Sequence, residues 1–245
     1  MSRTNKTTNA ASTNPASKFI EWSSMDGQWQ YYSKDEKKTI GLPMDMPFIA
    51  LDQLNTTKGY HKKKRSGLWS NEVRGISDTL TVRSKDGIEA VGNWMDVKAN
   101  PQVGEYVKFA KSVYAMAKIN GSYELVNLQL NGCTLTAWID FTKEAGGDKV
   151  LFDNTVISVK EATEERKGAV RFNKPKFSII SRELSPEASL QADNMDNELQ
   201  MHLTAYLGSE KTEEETKVQG LIDKADEILS AGRNEEEVLV EDAPF

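Results

Sequence analysis

The residues of this chain best suited to chemistry are cations and flat rings rather than nucleophiles. Lys58, Lys62, Lys63, Lys64 and Arg65 fall in a stretch from Gln53 to Asn71 that holds no acid and also carries Tyr60 and Trp69. A second acid-free stretch, Arg166 to Arg182, interleaves Arg166, Lys167, Arg171, Lys174 and Lys176 with Phe172 and Phe177. Lys and Arg displace condensed counterions from a phosphate backbone, and rings stack on unpaired bases. Either cluster alone would also suit a solvated loop. Two of them together point to a polyanion with unpaired bases.

Other chemistries lack their parts. Nucleophilic catalysis needs a Ser or Cys beside a base, yet the two histidines, His61 and His202, have no evident partner in the sequence. Neither a Walker A sequence nor a Gly-x-Gly-x-x-Gly fingerprint occurs, and Asp193 to Asp196 is too short for a calcium loop. Two histidines and the lone Cys133 leave little for zinc. The expectation is a protein that is not an enzyme and has no cofactor and no metal. A metal-dependent nuclease with scattered carboxylates stays as an alternative. The single cysteine suits a reducing, cytoplasmic compartment. No apolar run approaches the roughly 20 residues of a membrane helix, and Met1 to Ser17 lacks the apolar core of a signal peptide.

The net charge of −6 hides an asymmetry. Residues 209–245 hold 12 acids and four bases, a charge of −8, which leaves +2 for residues 1–208. A slightly basic body can approach a polyanion even though the whole chain is acidic.

The positioning elements read mostly as strands. Residues 1–17, rich in Ser, Thr and Asn, form a disordered arm. Phe19–Met25 and Gln28–Ser33 flank Asp26-Gly27, suited to a type I′ hairpin turn. Extended segments follow at Pro47–Leu54, Leu68–Val73, Thr79–Arg83 and Ile88–Trp94, with Lys85-Asp86-Gly87 turning the last two. Ser112 to Phe141 reads as a three-stranded meander divided by Asn120-Gly121 and Asn131-Gly132. Two-residue turns fix the register. The first pairs Ala117 with Glu124, Ala115 with Val126 and Val113 with Leu128. The second pairs Leu130 with Cys133, Leu128 with Leu135 and Val126 with Ala137. The opposite face of the meander carries Tyr114, Lys118, Tyr123 and Trp138. That face is either a small second core of Met116, Leu125 and Trp138 or a stacking platform for bases, with Tyr114, Tyr123 and Trp138 presenting rings beside Lys118.

Val150–Val159 and Val170–Ile180 supply further strands. Ser185-Pro186 opens a helical stretch towards Tyr206. Thr212 and Glu215 fit a capping box, followed by the apolar stripe Val218, Leu221, Ile222, Ala225, Ile228 and Leu229, with Gly232 as a stop. The organisation is therefore an arm at 1–17, a body at 18–207, an amphipathic helix at 208–232 and an acidic tail at 233–245.

The final residues, Glu235-Glu236-Glu237-Val238-Leu239-Val240-Glu241-Asp242-Ala243-Pro244-Phe245, resemble the tail of bacterial single-stranded-DNA-binding proteins. They are also similar to the acidic, Phe-terminated tails of some bacteriophage single-stranded-DNA-binding proteins. Ala243 stands where the bacterial tip has Ile, Val238–Val240 break the acid run, and the body is larger, so the phage type fits better. The resemblance implies an OB-fold barrel that binds the strand. It also implies a partner-binding tip made of Glu241, Asp242, Pro244 and Phe245 that recruits replication, recombination and repair proteins.

The expected fold is α+β, mainly antiparallel β: an OB-like barrel with inserted strands and C-terminal helices. The expected function is sequence-independent binding and protection of single-stranded DNA in the cytoplasm, that of the host if the protein is phage-encoded, with no membrane and a homo-oligomer left open. The expected DNA contacts are Lys58, Tyr60, Lys62, Lys63, Lys64, Arg65, Trp69, Tyr114, Lys118, Tyr123, Trp138, Arg171, Phe172, Lys174 and Lys176. The alternatives are a phage interaction or structural protein without nucleic-acid affinity, and an RNA-binding or strand-annealing protein.

Overall fold

The computed structural model describes residues 14–208. Asn14–Leu199 form one compact unit, and Gln200–Gly208, which are helical, belong to a second. Residues 1–13 of the expected 1–17 arm, 209–232 of the expected 208–232 helix and the 233–245 acidic tail lie outside the described residues.

The first unit is α+β with mostly antiparallel strands. In chain order these are β1 (Lys18–Ser23), β2 (Gln28–Ser33), β3 (Lys38–Leu42), β4 (Phe48–His61), β5 (Ser66–Ser70), β6 (Leu80–Ser84) and β7 (Gly87–Gly92). Then come α1 (Trp94–Ala99), β8 (Val107–Ile119), β9 (Ser122–Asn131), α2 (Gly132–Glu144), α3 (Asp148–Leu151), β10 (Val156–Lys167) and β11 (Val170–Ser181). A last helix, α4, starts at residue 186 and is helical through 208. Its cap is the expected one: the Ala188 amide donates to Ser185 Oγ at 3.2 Å.

The strand order is β3-β2-β1-β9-β8-β4-β5-β6-β7, with β10 paired to β4 and β11 to β10. The sheet is not closed into a barrel. Near the gap β11 returns towards the β1–β2 turn, where the Asn173 amide donates to the Ser24 carbonyl at 2.7 Å. Long strand β4 has two partners on its second edge, β10 at Phe48–Ile49 and β5 at Lys58–His61. Gly59 permits a close crossing there, because a Cβ would sit 2.1 Å from the Tyr106 carbonyl oxygen.

The first hairpin of the expected meander is present with its register: Ala117 faces Glu124, Ala115 faces Val126 and Val113 faces Leu128. Asn120 and Gly121 take positive φ (52° and 88°), as a type I′ turn demands. The third strand is a correction. Residues 132–144 form α2, and the β9 edge reserved for Cys133–Phe141 is taken by β1 in parallel, with Ile20 facing Leu128. Leu135, Trp138 and Phe141 recur at helical spacing, so a helix buries them on one stripe. Alternation also fits Leu135 and Ala137 as same-face strand neighbours, because a run this short suits both periods.

Other boundaries also move. Ser23 faces Gln28, so the β1–β2 loop has four residues with Gly27 at φ 67°, rather than a two-residue type I′ turn. The shift is two residues and leaves the faces unchanged. The segment expected as Ile88–Trp94 stops at Gly92, because Asn93 and Asp96 make a reciprocal capping box that starts α1 at Trp94. Val150 and Leu151 belong to α3 rather than to a strand, and β3 is an addition to the expected set. Asn14–Ser17 are hydrogen-bonded to the body: the Ser17 amide donates to the Leu125 carbonyl at 2.8 Å.

The main core lies between the curled sheet and α2. Trp22, Trp29, Phe48, Trp138, Phe141 and Phe177 meet there ring against ring, with centroids 5.3–6.5 Å apart. A smaller core of Leu68, Val82, Val97 and Val107 underlies β5–β7 and α1. Ile49 and Met116 pack with Ala188 and Ala192 of α4.

Candidate nucleic-acid interface

Strand pairing aligns one row of side chains across four strands. Arg83 faces Trp69, Trp69 faces Lys58, and Lys58 faces Lys108. Directly paired residues point to the same side of a sheet, and three inter-strand steps span about 14 Å. Tyr60 lies two residues beyond Lys58 on the same face. Trp69 is 47% exposed and Tyr60 55%. Their chain neighbours Leu68 and His61 point down and are buried, which is why the rings stand outward. The small core beneath β5–β7 therefore fixes the height and tilt of the row.

The β4–β5 loop is Lys62-Lys63-Lys64-Arg65, because His61 pairs with Ser66. All four residues are exposed, and Arg65 takes φ 48° to close the turn. Lys64 Nζ meets Glu89 at 2.5 Å, and hydrogen bonds from Lys64 and Ser84 hold the Glu89 carboxyl below its ordinary pKa. Lys58 Nζ lies 2.7 Å from both Glu21 Oε2 and Gln129 Oε1. That ion pair is about 40% exposed on each side, and such a bridge is worth about 0–1 kcal/mol. Lys58 can exchange Glu21 for a phosphate at little cost.

Several expected contacts lie elsewhere. Trp138 (1% exposed) is inside the main core, its indole donating to Gln53 Oε1 at 3.2 Å. Tyr114 (0%) is buried on β8, where its hydroxyl donates to Glu72 Oε2 at 2.7 Å and accepts from Asn14 at 2.9 Å. Burial, with the Glu72 carboxylate beside it, raises its pKa. Neither ring offers a face for stacking, and Trp138 is buried from α2 in the main core rather than in a second core on the outer face of the hairpin. Lys118 sits 5.5 Å over the Tyr123 ring at the far end of the β8–β9 hairpin. Ten residues of strand separate Lys118 from Lys108, about 33 Å, so this pair is not part of the row.

The second basic cluster is divided by strand alternation. β10 and β11 form a two-stranded ribbon turned at Gly168-Ala169. Phe172 and Lys174 share one of its faces and Arg171 the other. Pairing also brings acids alongside that the linear stretch did not contain: Lys176 meets Glu161 at 2.9 Å and Arg171 meets Glu164 at 3.5 Å. Lys108 and Arg83 escape sequence reasoning because each stands apart from the basic clusters; only sheet pairing puts them in one row with Trp69. The tail residues Glu241, Asp242, Pro244 and Phe245 lie outside the described residues. Among the described residues no group of three or more His, Cys, Asp or Glu could hold a metal ion, and no helix is long and apolar enough to cross a membrane. Comparison with family models, with curated proteins and with solved structures finds no match to this chain.

Proposed function

We propose that the chain binds single-stranded DNA without sequence preference through the face of β4, β5, β6 and β8. The observation that carries this reading is the row Arg83–Trp69–Lys58–Lys108, flanked by Tyr60 and the loop Lys62–Arg65. Cations spaced by one exposed ring suit phosphates on either side of a stacked base, and every base has a face to stack, so sequence matters little. The path β1-β9-β8-β4-β10-β11, with Asn173 reaching back to Ser24, supports reading the body as an OB-like barrel left open. In this proposal the acidic, Phe-terminated tail recruits replication and recombination proteins.

Titration with a thymidine homopolymer, followed by tryptophan fluorescence at two salt concentrations, tests it. Quenching of Trp69 and a marked loss of affinity at the higher salt are expected. Absence of quenching at low salt would leave an interaction protein without nucleic-acid affinity. Stronger binding to a uridine homopolymer would make RNA the substrate.

A further inference from the structure

We propose that a cleft beside this face is a second leg of the same site, holding one further nucleotide of the bound strand; the inference rests on the reading just given. The cleft, about 680 Å³, opens between the start of α2 and the ribbon of β10 and β11. Its size falls within the roughly 300–1,000 Å³ of ordinary ligand pockets. Lys108 is on its lining and is also the last member of the row, so a strand crossing Trp69 and Lys58 arrives there without leaving the cations.

The ribbon supplies the wall. Lys167 and Phe172 face the cleft together with Lys174, while Glu165 is the one acid on the lining. Lys108 and Lys167 have no ion pair among the described residues, and Lys174 Nζ is a long 3.8 Å from Asp140. Three ammonium groups against one carboxylate favour an anion. The half-buried Phe172 ring, which shares the lining with Trp22, offers a flat apolar surface. An anion joined to an aromatic plane is the chemistry of a nucleotide. Cys133 stands half-buried on the lining and can report occupancy.

The test uses the full chain, thymidine oligonucleotides of increasing length, and thymidine monophosphate alone. With wild-type protein, affinity should keep rising with length until both legs are filled, and long oligonucleotides should slow maleimide labelling of Cys133 while short ones do not. Phe172→Ala should cost long oligonucleotides on the order of tenfold in affinity and leave short ones unchanged; Lys167→Gln, at the exposed end of the ribbon, should act in the same direction. If the wild type binds and quenches while both variants match it at every length and Cys133 labels at the free rate, the cleft is not used and the sheet face stands alone. Protection of Cys133 by the monophosphate with no dependence on strand length would make the cleft a separate nucleotide pocket and overturn the second leg. Failure of the wild type to bind any oligonucleotide overturns the parent reading with it.

Discussion

At the scale of single residues, exposure separates two kinds of aromatic. Trp69→Ala should weaken single-strand binding by about 1–3 kcal/mol and abolish most of the fluorescence quenching, with the melting temperature little changed, since much of the indole faces solvent. Trp138→Ala should do the reverse. Its ring touches Phe48, Phe141 and Phe177, and deleting a buried Trp costs about 3–5 kcal/mol. Urea denaturation should show that destabilisation, while the surviving folded protein binds DNA as before. Glu124 gives a pH signature. Burial opposes its ionisation, but hydrogen bonds from Lys18 and Ser17 outweigh it and lower its pKa from the ordinary 4.5. Because the folded value is depressed, the stabilisation is complete above pH 4.5 and disappears as pH falls through the folded pKa. The melting-temperature gap between wild type and Glu124→Gln should therefore be largest near neutrality and close in acid.

At the scale of elements, the β4–β5 hairpin and the β10–β11 ribbon carry cations for different ends. In the hairpin loop, Lys62, Lys63 and Arg65 have no ion pair among the described residues, while Lys64 has Glu89. Replacing Lys62, Lys63 and Arg65 by Ala should reduce the slope of log affinity against log salt by roughly one for each phosphate that is no longer neutralised. An unchanged slope would make the loop a solvated surface. Arg171, paired with Glu164 on the far face of the ribbon, should be nearly silent in the same assay. The contrast between Arg171 and Lys167 on the same ribbon tests whether strand alternation, rather than the local density of charge, decides which cations meet the strand.

At the scale of the whole molecule, charge is segregated along the chain. Deleting residues 233–245 removes five acids and one base, a change of +4 in side-chain charge. If the acidic tail competes with DNA for the cationic face as a tethered polyanion, the truncated protein should bind single strands more tightly, most visibly at low salt. Removing Phe245 alone leaves the side-chain charges in place. It should spare DNA affinity and weaken capture of replication proteins, since an aromatic anchor carries most of the energy of a short contact. Weaker DNA binding after truncation would rule out competition.

Local features were legible in the chain alone: the Asn120-Gly121 hairpin with its register, the Ser185 cap, most strands, and the two acid-free stretches. Each rests on neighbours in the chain, where turn geometry and alternation act over a few residues. Residues 132–144 show where that reach ends. Their apolar pattern fits a strand or a helix, and the choice fell to helix once β1 occupied the free edge of β9 and the aromatic core accepted Trp138 and Phe141. Tertiary structure likewise decided which cations and rings meet. Lys58 and Trp69 could be grouped from one stretch, but Lys108 and Arg83 join them only through pairing across β4, β5, β6 and β8. Lys176 and Arg171, conversely, stand beside acids on the neighbouring strand that the linear stretch did not contain. A sheet brings together residues tens of positions apart, so a site built across strands stays invisible until the strand order is known.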